Sequence, residues 1–220
     1  MSKSKLLIYL SVLFVLTIAI LLCRPDKKVD LTSLDPNFYD QSWAIGSPCN
    51  APCWYGLTPG KSSRETALEV AKSLSFIDLS KSEVHAQIAS FPCKINKHGH
   101  RGYVKMSFSS GFLDTLWLTP NYPITFEQAI DFLGDPDGFS VYPTDPGITH
   151  CYLGVVWNKK QLILEHTSDI SFWGRDLCQQ ITQSGGIIPK KLLVESVVIS
   201  LPGYLENMKN FKPWRGFSDK

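Results

Sequence analysis

Two segments of this chain carry helix-start signals, and each is followed by apolar runs that turn residues separate. In the first, Pro59-Gly60-Lys61 leads to Ser62 and Glu65, an S-x-x-E capping box. Leu68, Ala71 and Leu74 then share one helical face. In the second, Thr125 and Gln128 form the box and Phe126, Ala129, Ile130 and Leu133 the apolar face. Gly134 stops the helix ahead of Asp135-Pro136. After the first helix, Val104, Met106 and Phe108 alternate with Lys105 and Ser107, and Ser109-Ser110-Gly111 turns the chain into Phe112 to Leu118. After the second, Cys151 to Trp157 and Gln161 to His166 flank Asn158-Lys159-Lys160. Leu192 to Leu201, rich in β-branched residues, reads as a last strand. This order predicts an α+β fold with antiparallel pairing, because a doubly wound parallel sheet needs a helix between each pair of strands. Residues 55–118 and 123–201 are expected to hold two related helix-plus-hairpin units around a shared or abutting core.

Upstream lies a different kind of segment. Thirteen of the seventeen residues from Leu6 to Leu22 are Leu, Ile, Val or Phe, and none is charged. Such a run gains about 6 kcal/mol on entering a bilayer and reads as an N-terminal transmembrane helix. Lys3 and Lys5 precede it, and the nearest small-residue cleavage match, Thr17-Ile18-Ala19, is buried inside the run, so an uncleaved signal anchor is expected. Cys23 offers lipid attachment as an alternative, although Leu22 stands where Gly, Ala or Ser normally precedes a lipidated cysteine. The expected layout is a cytoplasmic tail (1–5), a single-pass anchor in the cytoplasmic membrane contacting lipid (6–22), a stalk or linker (24–48) and an extracytoplasmic domain (49–220). Within the stalk, Phe38, Tyr39 and Trp43 are candidates to dock on the domain.

Flanking charge barely decides the orientation, since Arg24, Lys27 and Lys28 balance Lys3 and Lys5. Cysteines decide it: Cys49, Cys53, Cys93, Cys151 and Cys178 all follow the anchor, a density typical of an oxidising compartment. Cys53–Cys93 and Cys151–Cys178 are the preferred bridges with Cys49 left free, and Cys49–Cys53 is the main competitor. With 44% hydrophobic and 19% charged residues the chain describes a globular domain, and a net charge of +2 without a basic run gives no footprint for nucleic acid.

Gly56-Leu57-Thr58-Pro59-Gly60-Lys61-Ser62-Ser63 with its short helix, and Thr125 to Pro136 ending in Leu-Gly-x-Pro, resemble bacterial envelope domains of the BamE/SmpA and β-lactamase-inhibitor-protein-like type. There a G-[ML]-T-x-x-x-[EV] helix ending in L-G-x-P precedes an antiparallel sheet. The block Cys49-x-x-Pro52-Cys53-Trp54-x-Gly56-Leu57-x-Pro59-Gly60 also looks like uncharacterised membrane-anchored bacterial envelope proteins. The first unit departs from the pattern, having Leu74-Ser75-Phe76-Ile77 in place of L-G-x-P. The resemblance implies an envelope setting and a binding or scaffolding role, and it carries over no catalytic residue.

Each candidate site in the sequence also has a plainer reading. Gly56-x-x-x-Gly60-Lys61-Ser62 has one residue too few between its glycines for a P-loop, and Pro59 removes an amide. Cys93, His98 and His100, with His85 or His150 as a further ligand, have zinc-ligating side chains, but Lys94, Lys97 and Arg101 around them disfavour a cation. Cys49-x-x-x-Cys53 lacks redox-motif spacing. His150, Cys151 and His166 hold the elements of a thiol site without its local signature. Asp135-Pro136-Asp137-Gly138 is a turn too short for a calcium loop, and Glu127 and Asp131 read as a solvent face. Trp54, Trp117, Trp157, Trp173 and Trp214 read as packing. The expectation is therefore no catalytic, cofactor or metal residue, and a non-enzymatic protein-binding or envelope-scaffold module with an envelope protein as partner. The alternative is an extracytoplasmic hydrolase or thiol enzyme.

Overall fold

A computed structural model describes residues 33–35, 39–95, 99, 101–143, 150–169, 175–202 and 211–218. Helix α1 (Ser42–Ile45) opens the fold, followed by α2 (Arg64–Ser73) and the strands β1 (Glu83–Val84), β2 (Ile88–Pro92), β3 (Tyr103–Ser109) and β4 (Phe112–Thr119). Next come α3 (Phe126–Leu133), β5 (Gly138–Pro143), β6 (His150–Trp157), β7 (Leu162–Asp169) and α4 (Arg175–Gln183). Strands β8 (Ile188–Pro189), β9 (Ser196–Ser200), β10 (Phe211–Pro213) and β11 (Phe217–Ser218) complete the chain.

The helices start where local chemistry permits. α3 has the expected reciprocal box: Gln128 N–H donates to the Thr125 hydroxyl and Thr125 N–H to the Gln128 amide oxygen. Phe126, Ala129, Ile130 and Leu133 are all buried. In α2 the cap is Ser63, one residue later than expected, accepting from Thr66 N–H. Ser62 is occupied instead, its Oγ taking Thr58 N–H at 2.9 Å. The β3–β4 connection is the two-residue Ser110-Gly111 turn with both φ angles positive (52° and 82°), the form that matches strand twist.

Nine of these strands form one sheet in the order β1-β2-β3-β4-β9-β7-β6-β5-β10, antiparallel at every step, while β8 and β11 pair parallel in a separate two-stranded sheet. This corrects the expected pair of helix-plus-hairpin units. Ile88–Pro92 and Gly138–Pro143 are strands as well, so each helix leads into a longer meander. β9 then pairs with β4 on one side and β7 on the other, joining both meanders through backbone hydrogen bonds. A β-branched run such as Ser196–Ser200 suits that central place because both its faces are covered. Val197 and Ile199 enter the main core with Leu116, Leu118, Leu162 and Leu164, while Val198 joins Val156 and Ile163 on the opposite face beside Trp117.

Two further expectations change. Residues 39–46, inside the stretch read as a stalk, are part of the domain: Trp43 is 2% exposed and α1 packs on α3. The expected anchor at 6–22 and Cys23 lie outside the described residues, as does Phe38. Among the described residues no helix is long and apolar enough to cross a membrane; the four helices have 4, 10, 8 and 9 residues. The single-pass membrane placement therefore finds no spanning helix among the described residues and is not retained.

Candidate functional site

At one end of the sheet the segments bounding β4 and β9 separate and leave a cleft of about 500 Å³. Beyond β4 the chain runs through Pro120-Asn121-Tyr122-Pro123 to α3, and residues 191–195 run antiparallel beside it. Val194 N–H donates to Ile124 C=O (2.8 Å) and Phe126 N–H to Leu192 C=O (2.9 Å), so this wall is pinned by backbone bonds. Arg101 enters from the start of β3. Gly102 sets its path, since a Cβ there would lie 2.4 Å from the Thr119 carbonyl oxygen. Prolines and Leu193, which is 45% exposed, supply apolar surface; Arg101, Lys191, His166 and Glu195 supply charge and polarity.

His166 is the chemically distinctive group. It projects from β7 on the face shared with Leu162 and Leu164, at the point where the core ends. Its Nδ1 lies 3.0 Å from Leu193 C=O and 3.4 Å from Glu195 Oε1. A carbonyl oxygen only accepts, so Nδ1 carries the proton and the neutral ring keeps its lone pair on Nε2. Glu195 is itself aimed: Thr167 N–H donates to its Oε2 at 2.8 Å. At 3.4 Å the carboxylate is a looser neighbour than a charge-assisted hydrogen bond, so the backbone carbonyl holds the ring. Burial lowers the His166 pKa below the usual histidine range, against the upward pull of Glu195 and the Leu193 carbonyl.

Behind the cleft wall sits a buried polar knot. Asp40 accepts from Ser42 N–H (3.1 Å) and Ser42 O–H (2.7 Å) on Oδ1, and from Trp54 Nε1–H (2.7 Å) on Oδ2. Tyr122 O–H donates to the Asp40 backbone carbonyl at 2.7 Å, tying the cleft wall to the N-terminal segment. A void of about 10 Å³ touches Asp40, Cys93 and Asn121. Burial, then the nearby Asp40 charge, pushes the Cys93 thiol up to about 12, which leaves it protonated and unreactive at neutral pH.

The structure pairs Cys151 with Cys178 and Cys49 with Cys53, and Cys93 is a free, buried thiol. The preferred Cys53–Cys93 bridge is not formed. A turn donating Cys53 N–H to Asn50 C=O brings Cys49 and Cys53 to a Cα separation of 5.7 Å, while Cys93 is held in the core by its backbone bond to Gly102. Cys151–Cys178 fastens α4 to β6. In the chain-entropy view its loop is worth about 3.5 kcal/mol and the short Cys49–Cys53 loop about 2 kcal/mol. Cys151→Ala with Cys178→Ala should thus lower the melting temperature more than Cys49→Ala with Cys53→Ala. Equal shifts would show that α4 docks without its bridge. Thiol titration of denatured, non-reduced protein should find four of the six cysteines protected.

Other sequence candidates scatter. His85 sits in the β1–β2 turn, four to five strand spacings from His166, on the order of 20 Å away. His98 and His100 lie outside the described residues, as does Trp173, and His150 opens β6. The backbone amides of the P-loop-like run are committed internally, with Gly60 N–H donating to Leu113 C=O and Ser62 N–H to Thr58 C=O. Asp137 in the Asp135–Gly138 turn accepts Asn158 N–H. Trp54 is fully buried and Trp157 donates to Gly134 C=O. Among the described residues no group of three or more His, Cys, Asp or Glu side chains is placed to hold a metal. Glu195, Lys191, Leu193 and Tyr122 carry no sequence signal because each is an ordinary residue of a strand flank or turn, and Asp40 lies in a segment with stalk-like composition. No family model, no curated protein and no solved structure matches this chain, so the resemblance noted for its two helix motifs stands on those residues alone.

Proposed function

We propose that this chain is a non-enzymatic, disulfide-stapled protein-binding module that receives a peptide segment of a partner in the cleft beside His166. The observation carrying this reading is Leu193, an exposed leucine that lines the cleft together with Pro120, Pro123 and the charged Arg101, Lys191 and Glu195. An apolar floor with few polar groups around it is the composition of a recognition cleft. The thiol-enzyme alternative draws no support from the cysteines, four of which are bridged and one buried with a raised pKa.

The test is selection of displayed peptides on the purified protein, followed by amide chemical-shift mapping. Selected peptides should shift the amides of Thr119, Asn121, Tyr122 and residues 191–195. Leu193→Lys should weaken them at least about tenfold, the scale of one lost apolar anchor, with the melting temperature unchanged. Shifts confined to another face, or cleavage of the bound peptide, would overturn the reading.

A further inference from the structure

We propose that the partner segment gives an uncharged amide N–H to His166 Nε2, so that the cleft takes a glutamine or asparagine beside an apolar anchor and releases it when the imidazole is protonated. This rests on the binding reading above and names the chemistry and the regulation of its ligand.

The ring sets the requirement. With Nδ1 donating to Leu193 C=O, neutral His166 carries its lone pair on Nε2. Among the described residues none bonds to Nε2. The atom is not sealed off either, because Gln41 Oε1 is the one side-chain polar atom among the described residues that is both buried and without a partner. His166 lines the cleft, so this open acceptor is offered to whatever enters.

The rest of the wall spends its donors inside the protein. Pro120 and Pro123 have no N–H. The Asn121 amide donates to Lys94 C=O and Tyr122 O–H to Asp40 C=O. Thr167 N–H, beside the ring on β7, is taken by Glu195.

Charge then decides which donor fits. Arg101, Lys191 and Glu195 are the other charged groups lining the cleft. Lys191 has an interaction of its own. Arg101 stands near Asp78, whose carboxyl is held below the usual range by the Ser80 hydroxyl first and, less strongly, by the charges of Lys81 and Arg101. Glu195 is engaged by Thr167 and lies against His166. A charged ligand would lose its hydration without meeting an unengaged opposite charge, whereas a neutral amide avoids that cost. A primary amide also has two N–H donors, matching the two accepting side chains, His166 and Glu195.

Protonation removes the acceptor. The imidazolium carries N–H on both nitrogens, so Nε2 then opposes the ligand N–H while the Leu193 bond persists. In the free protein burial lowers the His166 pKa, against the upward pull of Glu195 and the Leu193 carbonyl. The folded state therefore loses stability as pH falls through the ordinary histidine value towards the lowered one. A ligand that binds only the neutral ring lowers the value further, and each unit of that fall weakens binding about tenfold at pH below both values. Glu195 is the titratable neighbour. Opposite the ring on β6 is the apolar Leu153, and Glu165, next along β7, is engaged by Tyr152 and Ser196.

Four capped tripeptides, Leu-Gln-Leu, Leu-Met-Leu, Leu-Glu-Leu and Leu-Lys-Leu, provide the probe. Leu-Gln-Leu should bind the full chain at neutral pH, shift residues 191–195, and bind about fivefold tighter than Leu-Met-Leu, the scale of one hydrogen bond. The charged peptides should bind no better than Leu-Met-Leu. Imidazole NMR should show the His166 pKa falling on binding, and further with Leu-Gln-Leu than with Leu-Met-Leu. Glu195→Gln should keep that fall. His166→Gln, which retains an acceptor oxygen that does not titrate, should keep the preference without its pH dependence, and His166→Asn, whose amide replaces only the Nδ1 donor, should lose the preference. Equal binding of Leu-Gln-Leu and Leu-Met-Leu, tighter binding of either charged peptide, no binding of Leu-Gln-Leu at millimolar concentration, or a His166 pKa that does not fall would refute the amide preference. The binding module would still stand if selected peptides mapped to the cleft. Selected peptides that never map there would refute both.

Discussion

Asp40→Ala should cost about 4 kcal/mol of folding stability, because it strands two buried donors and one hydroxyl at roughly 1–3 kcal/mol each. The donors are Ser42 N–H and Trp54 Nε1–H, and the hydroxyl is that of Ser42; Trp54 is 0% exposed, so no bulk water reaches its indole. Asp40→Asn should not rescue. Both carboxylate oxygens accept here, and an amide must set its NH₂ against one of the N–H groups. The measurement is urea denaturation of the single variants and of a double-mutant cycle with Trp54→Phe. A coupling near zero would mean that the indole bond contributes nothing, and a wild-type midpoint for Asp40→Ala would remove the knot from the account of stability. The raised Asp40 pKa shows that burial outweighs these bonds in setting its protonation. The carboxyl therefore favours the fold most at low pH and loses that contribution as pH rises through the raised value.

Leu133→Asp should be worse, at about 5 kcal/mol, enough to unfold a domain of ordinary stability. Leu133 is 7% exposed on the inner face of α3, and the new charge would be buried near a helix C-terminus, where the macrodipole also opposes it. Leu68→Asp, at 8% exposure on α2, should behave similarly. Phe132→Asp is the control: its neighbour on the same helix is 41% exposed and should move the midpoint little. Circular dichroism with thermal melts separates the outcomes. A folded, cooperative Leu133→Asp variant would mean that α3 does not seal the core as described.

The two parts of the molecule that bear on function differed in how far sequence could anticipate them. The cleft is assembled from residues 101, 119–123, 166 and 191–195, brought together by the β4–β9–β7 pairing. His166 was visible as a titratable residue, but its neighbours Leu193 and Glu195 carried no local mark. The Asp40 knot joins residues 82 positions apart through Tyr122. Nothing in a window of ten or twenty residues encodes such a meeting.

What the sequence determined by itself is what short-range physics controls. Thr125 and Gln128 close their box within one turn, Gly134 ends the helix, and Ser110-Gly111 reverses the chain between strands of period two. Each is a contest among neighbouring residues for the same backbone donors. The tertiary structure decided the rest. Strand alternation marks which face is buried but not which strand lies alongside, and Leu192 to Leu201 reads as a strand with no hint that β9 would join two meanders into one sheet. Cysteine count likewise left the partner open. Cys53 reached Cys49 across a local turn, whereas Cys93 was already committed to the core, and only the packed fold could set one against the other.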